Sequence, residues 1–222
     1  VGPDEYLNNI VLSPDGHSLL SVGREGEMLV WDVETGKEIH RIVGNGLSSL
    51  ADAKALCSPD GSKVVTFDNG SDITVPNISL WDVTTGQVVG RFPGSEPQFS
   101  PDGNLLLVVT GYNANTSGIE IWDTRTGQKV VDLKVSKQPI GSIYGAIFSP
   151  NSKRIVSYGD KLIWWDVKTG EEIQELVGHD PNVSVHNAVF SPDGKRLVTS
   201  DEGGGLIVWD TEYLAEEKRL NG

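Results

Sequence analysis

The chain has 222 residues, of which 31 are acidic and 18 basic, so its formal net charge at pH 7 is −13. This charge argues against a nucleic-acid partner, because contact with a phosphate backbone requires a basic surface. No apolar run approaches the roughly 18 residues of a membrane-spanning helix, and a single cysteine cannot form an internal disulfide. We therefore expect an acidic, soluble protein of the cytoplasm, without membrane insertion.

A sequence unit recurs five times along the chain. Each copy begins with Ser-Pro, and four copies continue with Asp-Gly. A run rich in Val, Ile and Leu leads to Trp-Asp, and four copies then carry Thr-Gly. The Trp-Asp pairs lie on average about 44 residues apart. A period of this length indicates one supersecondary unit that is repeated, because separate domains would be longer.

Turn signals alternate with apolar runs inside each unit. In the fifth unit Pro192-Asp193-Gly194 predicts a hairpin turn, because Pro fixes φ and Gly accepts positive φ. The flanking runs, 186–190 and 195–200, predict two strands, and 206–209 predicts a third. A more polar fourth strand, such as 37–42 in the first unit, follows the Thr-Gly turn. Four antiparallel strands cannot bury both faces alone, so consecutive units must stack, as in a β-propeller.

The repeat length and the Trp-Asp dipeptide resemble the WD40-repeat family, and the resemblance extends from Tyr6 to Leu220. It implies an all-β fold, a single β-propeller domain or segment over residues 1–222. We expect five four-stranded blades, at about 6–43, 53–92, 95–133, 144–177 and 185–220. No strand-like run precedes the first unit, and the last unit ends at a repeat boundary. We therefore expect part of a larger, seven-bladed propeller; the alternative is a closed five-bladed ring.

The same family resemblance implies a buried hydrogen-bonded tetrad of His, Ser or Thr, Asp and Trp in each blade. Only the fifth unit carries the family's Gly-His, and it offers His179, Ser200 and Trp209. Gly203 stands where the Asp would be, six residues before the Trp. The sequence thus predicts a degraded tetrad, with blade stability resting mainly on apolar packing.

The sequence carries no recognisable catalytic, cofactor or metal motif. The four histidines lack metal-site spacing, and Cys57 occupies a position where the other units have Leu or Phe, so a small core residue is expected there. The tryptophan of each Trp-Asp recurs at one place in every unit, which predicts a structural role in packing between blades. These tryptophans are Trp31, Trp81, Trp122, Trp165 and Trp209. Trp164, on the opposite sheet face, is also expected to pack against a neighbouring blade.

The short hairpins share one edge of each blade, and the opposite edge carries loops of variable length. The loops predicted at 68–77 and 111–118 are four or five residues longer than their counterparts. Exposed side chains on such loops are the candidates for contact with a partner, and Tyr112 is the strongest single one. The candidates are Arg24 and Glu25 in the first unit, Asp68 and Asp72 in the second, Tyr112 and Asn113 in the third, Asp160 and Lys161 in the fourth, and His179, Asp180 and Glu202 in the fifth.

Two functions follow from this organisation. The resemblance implies a non-catalytic scaffold that binds a protein or peptide on the loop-variable face, within a multiprotein complex. The alternative is a propeller module or subunit of an enzyme or redox complex with a ligand in the central channel. The lack of clustered His and Cys argues against the second function.

Overall fold

A computed structural model describes residues 7–23, 28–42, 54–67, 76–111, 117–133 and 141–220. Within these ranges the chain forms five four-stranded sheets, and the strands of each sheet follow one another in chain order. The first sheet contains β1 Leu7–Leu12, β2 Ser18–Gly23, β3 Met28–Asp32 and β4 Glu38–Ile42. The second contains β5 Lys54–Cys57, β6 Lys63–Phe67, β7 Pro76–Asp82 and β8 Val88–Pro93.

The third sheet contains β9 Ser95–Phe99, β10 Leu105–Thr110, β11 Gly118–Asp123 and β12 Lys129–Asp132. The fourth contains β13 Ile143–Phe148, β14 Arg154–Gly159, β15 Ile163–Asp166 and β16 Glu172–Glu175. The fifth contains β17 Val185–Phe190, β18 Arg196–Asp201, β19 Leu206–Asp210 and β20 Ala215–Leu220. The predicted all-β fold with five four-stranded units is confirmed.

The chain divides into two compact units. One comprises residues 1–108 together with 122–128, and the other comprises 109–121 together with 129–222. The described ranges contain no helix that is long and apolar enough to cross a membrane.

The Ser-Pro-Asp-Gly turn is held by its own side chains. Ser13 Oγ donates to Asp15 Oδ1 at 2.6 Å and accepts the backbone N–H of Ser18 at 2.8 Å. The other copies repeat both contacts, and Asn151 takes the place of Asp in the fourth unit. These hydrogen bonds satisfy the groups that the tight turn leaves unpaired, which explains the recurrence of the motif.

The Asp of Trp-Asp holds the next turn. Asp32 Oδ1 accepts the backbone N–H and the hydroxyl of Thr35, both at 2.7 Å, and these hydrogen bonds hold the pKa of Asp32 below its usual value. The fifth unit lacks Thr-Gly after its Trp-Asp. Asp210 nevertheless accepts the backbone N–H of Tyr213 at 2.9 Å, and Leu214 adopts the positive φ of the missing glycine, at 51°.

Both short turns lie at the same sheet edge, as the repeat predicts. In the first sheet the N–H of Val33, after Trp-Asp, donates to the carbonyl of His17 at 2.9 Å. In the fifth sheet the equivalent bond joins Thr211 N to Lys195 O at 3.1 Å. The connections from the second to the third strand therefore emerge at the opposite edge.

Each packed pair of sheets buries an apolar row on one sheet against the tryptophan-bearing face of the next. In the compact unit that contains residues 1–108, Leu20 and Val30 of the first sheet form a buried cluster with Val64 and Trp81 of the second. In the compact unit that contains residues 129–222, Val156 and Trp164 pack with Ala188, Leu197, Ile207 and Trp209 of the fifth sheet. Trp164 thus packs against the neighbouring blade, as expected. Trp81, Trp165 and Trp209 are buried, whereas Trp31 and Trp122 are half-buried.

The prediction of a degraded tetrad in the fifth blade is wrong. Trp209 Nε1 donates to Thr199 Oγ1 at 2.8 Å, and His179 Nε2 lies 2.7 Å from the same hydroxyl. His179 Nδ1 lies 2.7 Å from Asp201 Oδ2. Thr199 and Asp201 therefore fill the positions that we had assigned to Ser200 and Gly203. The error arose from counting six residues back from the Trp, because the turn that contains Gly203, Gly204 and Gly205 is longer than that count allows.

Candidate recognition surface

Six of the eleven candidate residues lie outside the described ranges. These are Arg24, Glu25, Asp68, Asp72, Tyr112 and Asn113. Of the two predicted long loops, only residues 76–77, 111 and 117–118 are described, and Pro76, Asn77 and Gly118 already belong to strands. Asn77 lies in β7, is buried, and accepts the N–H of Gly94 at 3.1 Å through its amide oxygen, while Gly118 begins β11. The loop regions themselves are therefore shorter than 68–77 and 111–118.

The other five candidates are described, and four of them line one cleft between the fourth and fifth sheets. The cleft has a volume of about 210 Å³ and is lined by Asp160, Lys161, His179 and Asp180, among others. Val177, one of the most exposed apolar side chains described, lies in the same wall. The fifth candidate, Glu202, lies close to this cleft, because its backbone N–H donates to the carbonyl of Ser184 at 3.0 Å and Ser184 in turn contacts Asp160. Residues far apart in sequence thus converge at the loop-bearing edge.

Asp160 is fixed by hydrogen bonds from two connections. Its Oδ2 accepts the backbone N–H of Ser142 at 2.8 Å, and its own N–H donates to the carbonyl of Ser142 at 3.0 Å. Its Oδ1 accepts the hydroxyl of Ser184 at 3.2 Å. Asp160 therefore joins the segments that lead into β13 and β17, and its carboxylate holds one orientation.

Lys161 and Asp180 have partners of their own. Lys161 Nζ lies 3.3 Å from Glu175 Oε2, and both side chains are more than a third exposed, so this ion pair adds little stability. Asp180 Oδ1 accepts the backbone N–H of Asn182 at 2.9 Å and its side-chain amide at 3.0 Å, which closes an Asx turn. Both residues remain accessible at the mouth of the cleft.

His179 differs from the other candidates because both of its ring nitrogens are engaged in the tetrad. Trp209 can only donate to Thr199, so the hydroxyl proton of Thr199 is free to point at Nε2 of His179. Nδ1 then carries the proton and donates to Asp201. Asp201 also accepts the N–H of Gly205 at 2.7 Å. His179 is thus a residue that positions the connection between β16 and β17, and no ring nitrogen is left for a partner.

The sequence did not indicate two exposed residues at this edge as candidates. Tyr144 and His186 occupy equivalent positions in β13 and β17, and each is the extra residue of a β-bulge. Their rings meet edge to face with centroids 5.2 Å apart. His186 Nε2 lies 4.0 Å from Glu202 Oε2, and Tyr144 Oη lies 3.5 Å from Ser184 Oγ. A bulge has no mark in a single sequence, so alternation alone could not place these rings.

The described residues bring together no three His, Cys, Asp or Glu side chains that could hold a metal ion. Burial raises the pKa of the Cys57 thiol to about 11, and Asp15 contributes further in the same direction. This cysteine would be almost fully protonated at neutral pH, which disfavours nucleophilic chemistry.

Five four-stranded sheets with short turns at one edge and variable loops at the other define a protein built from β-propeller blades. Residues 170–210 match the family described as WD domain, G-beta repeat. The chain is 27% identical over 124 residues to the small ribosomal subunit protein RACK1 of Caenorhabditis elegans, covering 52% of this chain and 36% of that protein. Residues 170–210 therefore carry a WD40 repeat, and the chain is similar to these relatives over about half of its own length.

Two further relatives come from Drosophila melanogaster. RACK1 of this organism is 27% identical over 135 residues, which cover 54% of this chain and 38% of the relative. Protein groucho is 31% identical over 140 residues, which cover 61% of this chain and 18% of the relative. The chain matches well under half of the length of each of these curated relatives.

Proposed function

We propose that the chain is a non-catalytic interaction scaffold that binds a protein or peptide partner at the loop-bearing edge of its blades. The observation that carries this proposal is the convergence of Asp160, Lys161 and Asp180 on one cleft beside the exposed Val177. A concave surface that combines charged groups with exposed apolar area is suited to recognition.

The tetrad supports the same function. It anchors the connection that forms one wall of the cleft, because His179 is held from both sides by strand residues. A wall fixed in this way loses little conformational entropy when a partner binds. Two relatives bear the name of a small ribosomal subunit protein, which supports a place within a multiprotein complex.

The proposal can be tested by capture of partners on the immobilised chain, with quantitative mass spectrometry of the retained proteins. A cleft variant, Lys161→Glu with Val177→Asp, is compared with Lys153→Glu with Tyr213→Asp at the short-turn edge. Both variants change the net charge by the same amount. We expect at least one partner whose retention falls about tenfold or more for the cleft variant alone. Equal losses in both variants, or in neither, would contradict binding at the cleft.

The same assay extends to the candidates outside the described ranges. Shortening the loops at 68–75 and 112–116 removes Asp68, Asp72, Tyr112 and Asn113 without touching β7 or β11. A partner that is lost only on this shortening would place recognition on those loops. A cofactor absorbance band or stoichiometric metal in the purified chain would instead favour an enzyme or redox module.

A further inference from the structure

The inner strands of the fourth and fifth sheets carry the same irregularity at the same place. In β13, Ile143 pairs with Gly159 and Gly145 pairs with Tyr158, so Tyr144 is inserted without a partner in the strand register. In β17, Val185 pairs with Asp201 and Asn187 with Ser200, so His186 is the inserted residue. β-Bulges often lie beside functional sites because they redirect one side chain out of the strand alternation.

These two bulges bring a pair of aromatic rings together at the surface. Tyr144 is 44% exposed and the His186 side chain 51% exposed, although both residues lie within strands. The T-shaped contact at 5.2 Å fixes the two rings relative to each other. The ring planes stand 74° apart, so the pair offers a partner a ring face beside a ring edge in a fixed arrangement, at small entropic cost.

Two carboxylates lie close to the rings. Glu202, whose side chain is 68% exposed, lies 4.0 Å from His186. Asp160 is linked to the Tyr144 hydroxyl through Ser184, with separations of 3.2 and 3.5 Å. The neighbouring cation, Lys161, lies against Glu175. The immediate surroundings of the two rings are therefore negative, in keeping with the net charge of −13 for the whole chain.

We propose that Tyr144, His186, Asp160 and Glu202 form a recognition platform for an arginine side chain presented by a peptide segment of the partner. This inference rests on the proposed scaffold function and specifies the chemistry of its partner. A guanidinium group is planar, stacks on aromatic rings and pairs with carboxylates, so it matches both features of the platform. Lysine matches only the negative charge well, and an acidic segment matches neither feature.

A random heptapeptide library displayed on phage and selected on the immobilised 222-residue chain tests this proposal. We expect arginine to be enriched at one position of the retained peptides. The enrichment should disappear with Tyr144→Ala and persist with Tyr144→Phe, which keeps the ring. Tyr213→Ala is the matched control, because Tyr213 is 76% exposed in the turn before β20, at the other sheet edge.

A selected peptide can then be titrated beside its citrulline analogue, which has the shape of arginine without the charge. We expect the analogue to bind about five-fold or more weakly, and Glu202→Gln to weaken the arginine peptide by about threefold. A selection without arginine enrichment, a citrulline peptide of equal affinity, or retention that survives Tyr144→Ala would each overturn the platform. If a protein partner still depends on Lys161 and Val177 in that case, the scaffold function stands and only the arginine platform fails.

Discussion

Nδ1 of His179 lies 2.7 Å from Oδ2 of Asp201, and both side chains are less than 10% exposed. The pair joins the connection after β16 to the end of β18, and Thr199 extends it to Trp209 on β19. A network in which every buried polar group has a partner specifies one arrangement of these elements, whereas a partly satisfied network would destabilise it.

We predict that His179→Ala destabilises the chain by about 1–3 kcal/mol, because it leaves the buried Asp201 carboxylate and the Thr199 hydroxyl without their partner. The free energy of unfolding from urea titration measures the change. His17→Ala is the control, since His17 is exposed in the first Ser-Pro-Asp-Gly turn. Equal stability of the two variants would show that the tetrad contributes nothing to the fold.

The same pair predicts a dependence of stability on pH. The hydrogen bond from His179 holds the pKa of Asp201 below its ordinary value of 3.8, and the N–H of Gly205 acts in the same direction. The folded state therefore binds this proton less readily than the unfolded state does. The resulting stabilisation is fully present above pH 3.8 and is lost as the pH falls through the lower folded-state pKa.

Unfolding measured from pH 7 down to pH 2 for the wild-type chain and for Asp201→Asn tests this dependence. The amide keeps the shape of the carboxylate but cannot ionise. We expect the difference in unfolding free energy between the two proteins to be largest near neutral pH and to shrink below pH 3.8. A difference that stays constant over the whole range would argue against an ionised Asp201 in the folded protein.

The repeat motifs predicted most of the fold because they encode local hydrogen bonds. Ser-Pro-Asp-Gly and Trp-Asp form their turns through side chains two to five residues apart, so a single sequence reveals them. The tetrad was misassigned because its members come from three separate segments, and the length of the turn after Asp201 shifts their spacing. The platform was missed because Tyr144 is placed by a bulge, which depends on pairing with β14.

The glycine of the Thr-Gly turn has a second role that its sequence position did not reveal. Gly127 has a φ of +66°, and a side chain there would collide with the carbonyl oxygen of Val89 on the outer strand of the second sheet. Gly36 occupies the same turn position with a φ of +67°, but no atom lies within 4 Å of the equivalent point.

We predict that Gly127→Ala is more destabilising than Gly36→Ala. Both variants place a side chain at a positive φ, which costs about 1 kcal/mol. Only Gly127→Ala must also displace the backbone at Val89. The difference in midpoint between the two urea transitions measures the crowding between the second and third sheets. Identical midpoints would show that the contact at Val89 relaxes without cost.

The outer face of the fifth sheet repeats a pattern that is buried elsewhere. Val189, Val198 and Val208 form a row across three strands, in the register of Val11, Leu20 and Val30 in the first sheet. Val30 is buried against the second sheet, whereas Val208 is half-buried and Val189 is 60% exposed. We propose that a further WD40-type blade covers this row in a longer propeller, because the same row elsewhere packs against the tryptophan-bearing face of the next repeat.

Two matched substitutions test whether the row is uncovered in the chain by itself. Val30→Ala should cost about 2 kcal/mol, since it removes two buried methyl groups and leaves a cavity, whereas Val208→Ala should cost less than about 1 kcal/mol. Urea titration gives both values, and sedimentation over a range of concentrations shows whether copies associate through the exposed row. Equal costs in a monomeric chain would mean that the row is already covered, as a closed five-bladed ring requires, and the proposal of a further blade would fail.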